Sequence, residues 1–169
     1  DWGQAYAYCD DALLEGFRGL CAQADLILPN RTEAALLLDT PYEKGPDNPD
    51  KLLHQLRALT GRFETAAVIT GVSEQDGYIG AACLTPDAAI PHVRLAPQLK
   101  GAWPGTGDLF AAALETALLL DHSLEDACGI AVDFLYQCLQ NAPTDQKEAR
   151  YGVPFEGALG WLRKRILDN

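Results

Sequence analysis

The residues best placed to do chemistry lie in Gly101-Ala102-Trp103-Pro104-Gly105-Thr106-Gly107-Asp108-Leu109-Phe110, where two glycines flank a threonine just as a long apolar helix begins. Glycines without a Cβ let backbone amides approach an anion, and a helix N-terminus adds unbonded N–H groups and partial positive charge. Asp108 is the unusual neighbour, because a carboxylate repels phosphate unless a cation screens it or it has a proton to take. Phosphoryl transfer supplies both conditions: the acceptor hydroxyl loses a proton while negative charge spreads over the group in flight. The same residues also read as a turn and a helix start, with Asp108 answering the helix dipole. Neither other glycine-rich phosphate motif is present, since Phe110 stands where GxGxxG needs its last glycine and no GxxxxGK[ST] occurs.

A second constellation is Pro29-Asn30-Arg31-Thr32-Glu33 at the end of an apolar run. Ligands of open α/β sheets gather at the carboxyl ends of strands, so Asn30 and Glu33 are candidates to hold a hydrated Mg²⁺ through oxygen. The competing reading is a helix cap, with Asn30 as N-cap and Glu33 as its partner three residues on. Thr70-Gly71, closing the run Thr65 to Thr70, offers a hydroxyl and a glycine to nucleotide phosphates, a weaker signal. His54, His92 and His122 form no metal-binding pattern.

The elements that must position these residues follow from periodicity. Asp10 to Ala22 sets Leu13, Leu14, Phe17, Leu20 and Cys21 on one helical face. Ala24 to Asn30 suits a buried parallel strand and Thr32 to Leu38 a short helix. Thr40 to Asp50, rich in Pro and Gly, reads as a loop, followed by a helix marked by Leu52, Leu53, Leu56 and Leu59. Thr65 to Thr70 is a second buried strand; Tyr78 to Leu84 and Ala89 to Leu95 form a hairpin-like pair about Thr85-Pro86-Asp87-Ala88. Helices are expected over Gly107 to Leu120, from Ser123 as N-cap to about Leu139, and over Phe155 to Leu167. Helices alternating with buried strands imply a layered α/β domain.

With 169 residues, 48% hydrophobic and 22% charged, the chain has the composition of one globular domain. Its 13 Lys and Arg against 24 Asp and Glu leave a net charge of −11, which argues against nucleic acid as a partner. No apolar run nears the ~20 residues that cross a bilayer, so no membrane span is expected. Five scattered cysteines without a CxxC pair fit reduced thiols in a cytoplasmic protein. The chain has no Met and opens Asp-Trp-Gly, the beginning expected of a piece of something longer.

Together, Ala24-Asp25-Leu26-Ile27-Leu28-Pro29-Asn30-x-x-Glu33, Thr70-Gly71 and Gly105-Thr106-Gly107-Asp108-Leu109-Phe110 closely resemble the pyridoxal (pyridoxamine) kinase family of the ribokinase-like superfamily. The closing Arg150-Tyr151-Gly152-Val153 resembles the same vitamin B6 branch, whereas Leu28 and Trp103-Pro104 depart from its usual residues. The resemblance implies a three-layer α/β/α fold, represented over residues 1–169 by a single partial domain: the C-terminal, nucleotide-binding part. Asp1-Trp2-Gly3-Gln4-Ala5-Tyr6 resemble the continuation of a family segment entered at its last aspartate. The implied activity is ATP-dependent phosphorylation of the 5′-hydroxymethyl group of pyridoxal, pyridoxamine or pyridoxine. Asp108 would be the base and the amides around Gly105, Thr106 and Gly107 the anion hole. Asn30 and Glu33 would support Mg²⁺, directly or through water, Thr70 and Gly71 would line the ATP phosphates, and Asp1 and Tyr6 would lie near the γ-phosphate. A sheet edge bared by missing strands, together with the habit of such families, makes a homodimer the expected assembly. The alternatives are a hydroxymethylpyrimidine or sugar kinase of the same superfamily, and a non-catalytic nucleotide-binding fragment.

Overall fold

A short polar side chain, or a glycine, just ahead of each apolar stretch decides where most of the helices begin. The computed structural model describes residues 9–101, 103–140, 142 and 152–167. They fall into two compact units, one ending at Val93 and one starting at Arg94.

In the first unit Asp10 caps α1 (Asp11–Cys21), its carboxylate accepting the Leu13 N–H at 2.8 Å. Strand β1 (Leu26–Ile27) leads to α2 (Arg31–Leu38), and α3 (Pro49–Phe63) to β2 (Ala66–Val72) and β3 (Tyr78–Leu84). β1 and β2 are parallel, with Leu26 opposite Ala66 and Ile27 opposite Ala67; β2 and β3 are antiparallel, from Ala67 opposite Leu84 to Thr70 opposite Ala81. Consecutive residues Ala67, Val68 and Ile69 are all fully buried, so β2 is covered on both faces. Leu52, Leu56, Leu59 and Phe63 of α3 and Ala81 to Leu84 of β3 complete this core.

The strand expected over Ala24 to Asn30 is shorter because Pro29 has no N–H to give the ladder. Pairing resumes one residue later, where Asn30 bridges Thr70. Helix α3 starts earlier than expected: Asn48 accepts the Asp50 N–H at 2.9 Å and Pro49 occupies the first turn, where its missing N–H costs nothing. The apolar face of α1 is not buried, with Leu13, Phe17 and Leu20 all exposed. The helix is tied instead through Arg18, whose Nε and Nη2 donate to the carbonyls of Leu37 at 3.1 Å and Leu36 at 2.8 Å, at the C-terminus of α2.

Strand β4 (His92–Pro97) carries the chain from the first unit into the second, beginning later than the expected Ala89. The Thr85–Ala88 turn is closed by the Ala88 N–H on the Thr85 carbonyl at 3.1 Å. The second unit holds α4 (Thr106–Leu119), α5 (Leu124–Gln140), a 3-10 turn (Glu156–Ala158) and α6 (Leu159–Leu167). Small residues Ala113, Ala117, Ala127 and Ala131 let α4 and α5 approach closely around Phe110, Leu114, Ile130 and Phe134. Ser123 starts α5 as its spacing predicts, accepting the Asp126 N–H at 3.1 Å. His122 Nε2 lies 2.9 Å from the Ile166 carbonyl of α6, and Arg94 holds both carboxylate oxygens of Asp133 at 2.7–3.0 Å.

Cys83, Cys128 and Cys138 are buried. Burial pushes the Cys138 thiol up to about 11, with its own backbone hydrogen bond opposing and Glu156 adding to the rise. Phe134 is among the largest fully buried side chains. Phe134→Ala is expected to cost about 3–5 kcal/mol; a urea midpoint unchanged from wild type would show that it does not anchor this core.

Candidate active site

Two places in the described residues hold side chains singled out from the sequence, and each is built by a strand or helix end. The first is where β1 and β2 end side by side. The Thr70 N–H donates to the Pro29 carbonyl at 3.0 Å, and the Asn30–Thr70 bridge extends the parallel pairing to that point. Asn30, Glu33, Thr70 and Gly71 are therefore brought together, as their positions at two strand exits require.

Asn30 and Glu33 form the cap that was the competing reading of their spacing. Asn30 Oδ1 accepts the Glu33 N–H at 3.0 Å, and Glu33 Oε2 accepts the Asn30 N–H at 2.8 Å. The box fixes the orientation of an exposed carboxylate at the mouth of the strands. Among the described residues no group of three or more His, Cys, Asp or Glu is gathered to hold a metal ion. The donors present here are oxygens, the kind a Mg²⁺ that keeps several of its waters accepts.

Beyond Thr70 the β2–β3 register shifts, Val72 standing opposite Gly80. Gly71 is the extra residue, at φ +75°, a left-handed conformation that disfavours any side chain. Just past it, Ser73 is held by a residue that sequence reading left in a featureless loop. Asp47 Oδ2 accepts the Ser73 N–H at 2.8 Å and the Asp47 N–H donates to the Ser73 carbonyl. Asp47 Oδ1 lies 2.9 Å from Arg31 Nε, while Arg31 Nη2 donates to the Glu43 carbonyl at 2.9 Å and its guanidinium sits 5.5 Å from the Tyr42 ring centre. Burial pushes the Asp47 carboxyl up from its ordinary value, and the Ser73 N–H and Arg31 pull it back. No sequence signal marked it: its partners are Arg31, the first residue of α2, and Ser73, past the end of β2.

The second place is the N-terminus of α4. Gly105 is its N-cap at φ +88°, no side chain caps the helix, and Thr106, Gly107 and Asp108 form the first turn. Their amides are the ones a helix leaves without intrahelical acceptors. Asp108 is exposed beside them. Gly101, at φ +131°, lies so close under the Trp103 ring that a Cβ there would meet the indole Nε1 at 2.7 Å. A Cβ on Gly152 would lie 3.4 Å from the Pro104 carbonyl, so the chain after residue 151 runs against the approach to this turn. Gly107 is different: its φ is not left-handed and a Cβ would meet nothing within 4 Å. Asp1 and Tyr6 lie outside the described residues.

A family model described as phosphomethylpyrimidine kinase matches residues 5–151. The pyridoxine/pyridoxal/pyridoxamine kinase of Bordetella avium (strain 197N) is 33% identical over 134 residues, 78% of this chain and 44% of that enzyme. Pyridoxal kinase from Lactobacillus plantarum matches with a TM-score of 0.81 at 34% identity, over 96% of this chain and 57% of that one. A Bacteroides thetaiotaomicron VPI-5482 protein described as a phosphomethylpyrimidine kinase, crystallised with pyridoxal, matches with a TM-score of 0.86 at 28% identity, again over 96% and 57%. The chain thus spans about half the length of the relatives it matches. The ribokinase-like α/β fold and the kinase resemblance drawn from residues 24–33 and 105–110 are borne out. With a match that runs through both strand exits and the first turn of α4, this chain belongs to the phosphomethylpyrimidine kinase family.

Proposed function

We propose that the protein of which this chain forms a part transfers the γ-phosphoryl group of ATP to the 5′-hydroxymethyl group of a B6 vitamer: pyridoxal, pyridoxamine or pyridoxine. The carrying observation is the start of α4, where a left-handed glycine takes the place of a capping side chain and an exposed aspartate stands in the first turn. Four first-turn features serve one reaction: amides without intrahelical acceptors, helix-dipole charge, a glycine at which a Cβ would meet nothing among the described residues, and a base. The likeness to enzymes named for pyridoxal and its relatives supports the choice of acceptor.

In this reading the Asp108 carboxylate takes the proton of the hydroxymethyl group as its oxygen attacks the γ-phosphorus. The bond to the β-phosphate oxygen breaks and ADP leaves. The amides around Gly105, Thr106 and Gly107 receive the charge that gathers on the equatorial oxygens. Thr70 and Gly71 line the ATP phosphates. Asn30 and Glu33 would hold Mg²⁺, directly or through water; bound there, the ion would neutralise phosphate charge. The protein works as a cytoplasmic homodimer. Among the described residues no helix is long and apolar enough to cross a membrane.

A second reading takes as acceptor hydroxymethylpyrimidine, the alcohol whose phosphate ester the description of the matching family model names. It presents the same primary alcohol on a heteroaromatic ring, so the residues described would treat it alike. Product formation from MgATP with each B6 vitamer and with hydroxymethylpyrimidine separates the two.

Asp108→Asn in the full-length protein is expected to lower kcat by about 10²-fold or more, the contribution of a general base. Near wild-type turnover would remove Asp108 from that role. Gly107→Ala puts a better helix former in an open position, so Tm should hold or rise while kcat falls as the methyl group meets the incoming phosphate. A variant both as stable and as active as wild type would mean that no anion approaches the α4 amides.

A further inference from the structure

We infer that Asp47 is a positioning residue for the phosphate-facing turn at Thr70-Gly71, acting as a substitute strand partner that fixes the far side of the bulge. The inference rests on the proposal that this turn faces the phosphates of ATP.

The bulge needs two anchors. Gly71 breaks the β2–β3 register, and the left-handed glycine has more conformations open to it than any other residue. Its near side is pinned by β1: the Thr70 N–H is on the Pro29 carbonyl at 3.0 Å. On its far side, Ser73 lies beyond the end of β2. There Asp47 supplies what a neighbouring strand would, an acceptor for the Ser73 N–H at 2.8 Å and a donor to the Ser73 carbonyl. One side chain and one amide of a loop residue thus close both backbone groups of Ser73.

Asp47 can do this because it is itself anchored. Its other carboxylate oxygen lies 2.9 Å from Arg31 Nε, and both side chains are largely buried, at 11% and 17% exposure. Arg31 follows Asn30 directly, so it projects from the β1 exit itself. It also gathers the loop, through the Glu43 carbonyl and the Tyr42 ring, and Lys51 pairs with the Glu43 carboxylate at 2.8 Å. Pro29 to Arg31 therefore grips both ends of the bulge, one directly and one through Asp47. A charge-assisted bond shielded from water holds a backbone group better than a solvated one, and a preformed turn spares the nucleotide the cost of ordering it.

The test uses the full-length protein with Asp47→Ala and Asp47→Asn, the latter keeping an oxygen for the Ser73 N–H. Three quantities are read: exchange of the Val72 and Ser73 amides without ligand, KM for MgATP, and kcat at saturating MgATP. Asp47→Ala should speed Ser73 exchange and raise KM for MgATP about tenfold, the effect of one lost charge-assisted hydrogen bond, with kcat within about twofold of wild type. Asp47→Asn should recover much of the KM. A KM for MgATP equal to wild type in Asp47→Ala would overturn the inference, as would a kcat that falls as far as KM rises. Those results leave the kinase reading standing if Asp108→Asn still lowers kcat by about 10²-fold or more; a wild-type protein without affinity for MgATP would sink both.

Discussion

The burial of β2 on both faces is the constraint on which the first unit depends. Ala67, Val68 and Ile69 are shut off from water in succession, so a slip of the strand along its neighbours would carry a polar end residue such as the exposed Glu64 toward a buried position. Its neighbours are then fixed in register, and so is the point at which it must leave the sheet. Thr70 and Gly71 stand at that point, and Pro29-Asn30 stands beside them because β1 runs parallel. A parallel pair brings two chain exits to the same end, which is why polar residues distant in sequence meet there.

In the second unit the corresponding constraint is an omission in the capping of helices. Helices α1, α2 and α3 begin on Asp10, Asn30 and Asn48, each with a side chain on a first-turn amide, and Ser123 does the same for α5. Helix α4 begins on Gly105 and has no such bond. A capping oxygen would occupy the amides that an anion needs, so local helix stability and anion binding compete for the same donors. Helix α4 forms because Phe110, Ala113, Leu114 and Ala117 are buried against α5, and tertiary packing supplies what the N-cap does not.

Much of this was legible in the residues. Thr65-Ala66-Ala67-Val68-Ile69-Thr70 announces a buried strand, Ser123 and Asp126 announce a helix start, and Gly105 to Asp108 announce the turn that opens α4. Asn48-Pro49 carried an equally good helix start that was lost in a loop reading dominated by Pro and Gly. The early end of β1 was written in Pro29, whose missing N–H interrupts the ladder. The bulge at Gly71 was only half visible, since a glycine after a strand says nothing of which partner residue it will oppose. Asp47 was not visible at all. Its partners Arg31 and Ser73 lie 16 and 26 positions away, and only the parallel pairing of two short strands brings them together. Side-chain bonds of that range follow from register, which composition and periodicity do not encode.

Helix α2 is gripped at both termini, by the Asn30–Glu33 box at one end and by the Arg18 guanidinium at the other. Its eight residues make a rod of about 12 Å, too short to bend appreciably. A rod held at both ends passes displacement along its axis, and so couples the solvent-facing α1 mechanically to Asn30 at the strand mouth. A fluorophore or spin label on the exposed side of α1, for instance at Ala12, would thus serve as a remote reporter of movement at the β1 exit without touching it.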